Sequence, residues 1–90
     1  MAYYTIKYKT NMPHDGGPET KIVCASVQAK SIRQAALDGW VDVASDHGII
    51  TGIACIIDHG DTLGEGQHVV PGNWDNLHAI VATDYNSAVA

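Results

Sequence analysis

The chain has 90 residues, 46% of them apolar, and a net charge of −5 at pH 7. That length gives one domain, residues 1–90, with a modest core, and the apolar content argues against disorder. No apolar run approaches the ~20 residues of a membrane span. All five Lys and Arg fall in residues 1–33 and eight of the ten acids follow, which argues against nucleic-acid binding through phosphates and favours a basic partner or simple solubility.

Residues 2–10 alternate, with Tyr4, Ile6 and Tyr8 on one side and Tyr3, Thr5, Lys7 and Lys9 on the other. This predicts a half-buried strand. The same alternation is unlike a signal peptide, so the protein is expected inside the cell, in the host cytoplasm. Residues 11–18, NMPHDGGP, read as a turn-rich loop, and residues 19–29 as a second strand, making a hairpin with a long tip.

Residues 31–48, SIRQAALDGWVDVASDHG, read as an amphipathic helix. Ser31 is a good N-cap with Gln34 placed for a capping box, and Gly48 suits the left-handed position past the end. At about 100° per residue, Ile32, Ala36, Gly39, Trp40 and Val43 share one side, widened by Leu37 and Ala44. Gln34, Asp38, Asp42, Ser45 and Asp46 lie opposite. Asp38, Asp42 and Asp46 repeat at i, i+4 and i+8 with no cation beside them, at a cost of roughly 0.2–0.5 kcal/mol per like-charged pair. Asp42 and Asp46 also face the negative end of the helix dipole, and Asp is a poor helix former. A local rule broken without visible compensation marks a place to look for function, although charged rows are commonly just solvated.

Residues 49–57, IITGIACII, are apolar on both sides and predict a central strand covered on both faces. Residues 59–76 are irregular, with a short strand at 68–70. Residues 77–83, LHAIVAT, fit either a strand or, from Asn73, a helix with Trp74, Leu77, Val81 and Ala88 on one side. The turn-like Asp84-Tyr85-Asn86-Ser87 favours the strand. The expected fold is α+β, in the order β-β-α-β-β, with one helix packed on a mostly antiparallel sheet.

Three of the five histidines adjoin an aspartate. A strand of nine residues would hold His59 roughly 30 Å from the hairpin tip, whereas His14, Asp15, Asp46 and His47 share one end. Those four are the candidate metal site for the alternative reading, a small metal-binding module or metal-dependent enzyme. Cys24 and Cys55 lie in apolar strands without zinc or redox spacing, and read most simply as buried free thiols, with a disulfide between neighbouring strands as the alternative. Residues 60–66, GDTLGEG, lack the lysine and hydroxyl of a phosphate loop. No nucleophile signature is present, so no catalytic residue and no cofactor are expected. Trp74, in a Pro-Gly-Asn-Trp-Asp turn, is either a lid on the core edge or an anchor for a partner.

The segment Val27-Gln28-Ala29-Lys30-Ser31-Ile32-Arg33-Gln34-Ala35, with Tyr4-Thr5-Ile6-Lys7 before it, resembles the strand-to-helix join of small phage inhibitors of the type I-F anti-CRISPR kind. The likeness covers about the first half of the chain, and the acidic second half departs from that family's basic working face. The resemblance implies only a class: a compact phage or mobile-element protein that acts by binding. The expected function is therefore to occupy a basic, nucleic-acid-binding type of surface on a partner protein. Asp38, Asp42, Asp46 and Trp74 are the expected partner-binding residues.

Overall fold

A computed structural model describes residues 1–14, 17–47, 49–61 and 67–89, and the side chains of residues 1–11, 21–45, 49–61 and 67–88 among them. The elements are β1 (Ala2–His14), β2 (Gly17–Ala29), α1 (Ile32–His47), β3 (Ile49–Gly60), β4 (His68–Val69) and α2 (Asp75–Val89). The four strands form one antiparallel sheet in the order β2-β1-β3-β4, an α+β fold with the β-β-α-β-β order expected, to which α2 is added. No described helix is long and apolar enough to cross a membrane.

The alternation of β1 places Tyr4, Ile6, Tyr8 and Thr10 in the core. Thr10 is tolerated there because its hydroxyl donates to the Lys21 carbonyl at 3.1 Å. The hairpin is longer than expected. The segment read as a loop continues both strands, and the register runs unbroken from Ala2↔Ala29 to His14↔Gly17. Pro13 opposes Pro18, and facing prolines fit a pair of positions that exchange no hydrogen bonds. They also lie past Asn11↔Ile49, the end of the β1–β3 ladder, so β3 loses no donor to them.

Helix α1 starts as the sequence indicates. The Gln34 amide donates to Ser31 Oγ at 3.1 Å. The Gln34 side chain does not close the capping box; it donates to Asp38 Oδ1 at 2.8 Å. Ala35, Ala36, Gly39, Trp40 and Val43 form the buried side. Gly39 is needed there because a Cβ at that position would lie 2.5 Å from the Tyr8 hydroxyl oxygen. That hydroxyl donates to the Ala36 carbonyl at 2.6 Å, which pins the helix close over β1.

In β3 the buried residues are Ile50, Ile53 and Ile56, a spacing of three that a regular strand does not give. Register irregularities between Tyr3 and Tyr4, Lys7 and Tyr8, and Lys9 and Thr10 supply the extra residues. They keep Ile50, Ile53 and Ile56 opposite Thr10, Tyr8 and Ile6, on the helix side of the sheet. The expectation that β3 is covered on both faces is thus corrected. Both helices pack on one face, and on the other Ile49 is 69% exposed.

Residues 77–83 are helical, not the favoured strand. Asn73 Oδ1 accepts from the Asp75 amide at 3.0 Å near the helix start. Val81 is fully buried, with Leu77, Ala82 and Tyr85 beside it at the core margin. The turn-like residues 84–87 are drawn into the helix by tertiary partners. Tyr85 lies against Trp40, with ring centroids 6.1 Å apart, and Asp84 pairs with Arg33. Helix α1 lies mainly over β2 and β1, while α2 packs on α1 and β3.

Candidate functional site

The helix pair and the sheet order fix where the acidic row sits. Trp40 stacks on His78 of α2, with centroids 5.3 Å apart, and Arg33 Nε and Nη2 donate to Asp84 at 2.8 and 2.9 Å. That flank of α1 faces α2. Asp38 and Asp42 lie about 160° around the axis from Trp40, on the flank turned away from α2, and both are exposed. Since α1 packs mainly over β2 and β1 while α2 packs over β3, this flank is on the β2 side of the molecule.

The only ion pair among the described residues is Arg33–Asp84, so neither Asp38 nor Asp42 meets a cation there. Their field reaches the core. Burial, and then the negative charges of Asp38 and Asp42, push the Tyr8 phenol well above its ordinary value. By contrast, the hydrogen bond from Arg33 holds the Asp84 carboxyl below the usual carboxylate range, with desolvation opposing it and the Arg33 charge adding to it.

The other expected site residues divide. The side chains of Asp46, His14 and His47, and residue Asp15 altogether, lie outside the described residues, as does Gly48. Trp74 is half-buried at the core margin, with its ring against Gly72. Among the described residues no three His, Cys, Asp or Glu side chains gather as metal ligands do. Cys24 is exposed and Cys55 half-buried, and both are free thiols, which corrects the expectation of buried ones. Each is a register partner of Lys7, one on either side, on the face of the sheet that the helices leave open.

Sequence reasoning did not find a short polar chain on that open face. Thr5 Oγ1 lies 2.7 Å from His59 Nε2 and 2.9 Å from Ser26 Oγ. His59 is buried although its neighbours in β3 follow the opposite pattern, because the irregularity between Tyr3 and Tyr4 turns it back toward β1. The alternation of β1 places Thr5 on this face, but the pairing partner of Thr5 is a matter of register, which no local signal carries. A hydroxyl one hydrogen bond from an imidazole is the first part of an activated nucleophile. Beside it the surface is a shallow depression of about 500 Å³ lined by Asp58, His59, Gly60, Gln67 and His68, open to solvent. The arrangement ties β2, β1 and the end of β3 together.

No protein-family model, curated protein or solved structure matches this chain.

Proposed function

We propose that this protein is a small, acidic, non-catalytic binding protein of the phage or mobile-element type. It occupies a basic surface of a partner protein in the host cytoplasm, of the kind that otherwise holds nucleic acid. The observation that carries this reading is the exposed flank of α1. Asp38 and Asp42 stand there without a cation among the described residues, on the side that neither α2 nor the sheet covers. The like charges at i and i+4 repel, offset among the described residues only by the hydrogen bond from Gln34 to Asp38, and neither side chain is packed in the core, which is the pattern of residues kept for an external partner. Successive carboxylates rise about 6 Å along the axis at four-residue spacing, a pitch at which a row of arginines or lysines can meet them one to one. Such an interface associates quickly and weakens with salt.

The test compares the protein with the Asp38→Asn, Asp42→Asn, Asp46→Asn triple variant as immobilised bait in host lysate, at 50 and 300 mM salt. The variant is expected to melt at the same or a slightly higher temperature, since repulsion is relieved, and to lose the basic protein that wild type retains at low salt. If both baits capture the same partners with the same salt dependence, the acidic row is a solvated face and the proposal fails.

A further inference from the structure

Among the described residues, the outer edge of β2 is the longest unpaired strand edge. In the order β2-β1-β3-β4, β2 pairs with β1 on one side, and among the described residues nothing pairs with it on the other. Natural edge strands are usually short, bulged, or guarded by lysine and proline. This one has 13 residues, and its pairing with β1 has no bulge. Its one lysine is Lys21, with Lys30 just past its end, and Pro18 lies near its start. Between them Ile22-Val23-Cys24-Ala25-Ser26-Val27-Gln28 has no charge, proline or glycine. An open run of this kind is a template for an added strand, whose main chain would complete the unpaired N–H and C=O groups.

Charge decides the occupant. Asp38 and Asp42 are exposed on the flank of α1 turned away from α2, and α1 packs mainly over β2, so an added strand would lie on the same side of the molecule as two carboxylates that have no cation among the described residues. A second copy of the chain paired edge to edge would bring its own Asp38 and Asp42 against these, acid facing acid. A partner on the open sheet face would have to bury Lys7 and Lys9 of the second strand in from this edge. An extended segment with Lys or Arg at alternate positions meets neither obstacle. Its basic side chains rise toward α1, and the side chains between them fall beside Ile22, which is 53% exposed on the opposite face.

We propose that the outer edge of β2 docks an extended basic segment of the partner as a fifth strand, with its Lys or Arg side chains against Asp38 and Asp42. This rests on the reading above that the acidic flank of α1 meets a basic partner, and it adds the partner's conformation and its seat.

The probe is an N-acetylated octapeptide alternating lysine and valine. Its control is the same peptide N-methylated at every residue, which keeps the charge and removes the backbone donors. Binding is measured by titration against wild type and the Asp38→Asn, Asp42→Asn double variant at 50 and 300 mM salt. Amide hydrogen exchange locates the peptide. The expected result is at least tenfold slower exchange at the β2 amides that face away from β1. Affinity is expected to fall at least tenfold on N-methylation and at least threefold in the double variant, whose binding also depends less on salt. Equal binding of the two peptides, with the double variant still impaired, overturns the strand-addition inference and leaves the acidic-flank reading standing. A loss on N-methylation with none in the double variant overturns both. Absence of binding, protection elsewhere than β2, or self-association of the protein through β2 overturns the strand-addition inference.

Discussion

Gly39 tests how closely α1 sits on the sheet. Replacing it by alanine adds one methyl group, which would lie 2.5 Å from the Tyr8 hydroxyl oxygen, 3.2 Å from the Tyr8 ring edge and 3.1 Å from the Ala25 Cβ. In an exposed helix the change would stabilise by about 1 kcal/mol. Here the methyl group overpacks a buried site, at a cost of about 1–3 kcal/mol. Displacing Tyr8 also breaks its 2.6 Å hydrogen bond to the Ala36 carbonyl, worth about 0.5–1.5 kcal/mol. We predict that Gly39→Ala lowers stability by roughly 1–3 kcal/mol, read from the urea midpoint at unchanged slope. The sign should change with the residue beneath. In a Tyr8→Phe background the nearest of the three close atoms is gone, so Gly39→Ala should cost little or even stabilise. The double-mutant cycle should show a coupling of about 1 kcal/mol or more. Gly39→Ala stabilising the otherwise unchanged protein, or a coupling near zero, would refute the close seating of the helix.

Two further outcomes concern the core. Trp40 is 6% exposed and touches Tyr8, His78 and Tyr85, whereas Trp74 is half-buried at the margin. Trp40→Ala should therefore cost about 3–5 kcal/mol and Trp74→Ala clearly less, in parallel denaturation curves; the reverse order would misplace the core. The phenol of Tyr8 is raised in the folded state above its unfolded value of about 10. The stability it contributes is complete below that pH and is lost as pH rises above it. Urea midpoints at pH 9 and pH 11 should thus fall more steeply for wild type than for Tyr8→Phe, and parallel losses would show that Tyr8 ionises freely.

The parts of the fold that could be read from the sequence are those set by local signals. Ser31 opens α1 and the apolar period of α1 names its buried side, because cap and period both act within a few residues. Tyr4, Ile6 and Tyr8 declare the inward face of β1 for the same reason. Ile50, Ile53 and Ile56 do not declare theirs, since the irregularities that space them by three arise only against β1. The second helix was obscured by Asp84 and Tyr85, which look like a turn until Arg33 and Trp40 come across the chain to hold them. In the candidate site, the acidic spacing was visible on a single helix. That Asp38 and Asp42 lie on the same side as a free strand edge depends on the sheet order and on where α2 packs, and neither is encoded locally. The chain Ser26–Thr5–His59 needs the registers of two ladders at once.

The central place of β1 has a consequence for how the chain assembles in time. Its partner on one side, β2, begins three residues after β1 ends, and α1 comes next, so β1, β2 and α1 can collapse while separated by few residues. Its partner on the other side, β3, arrives only after the whole helix, and closing that longer loop costs entropy before any reward. The expected transition state contains the hairpin and α1, with β3, β4 and α2 docking on the downhill side. Truncating Val27 to alanine should then slow folding, whereas Ile53→Ala should mainly speed unfolding. Refolding and unfolding rates across a urea series measure both, and a folding limb slowed more by Ile53→Ala would reverse the order.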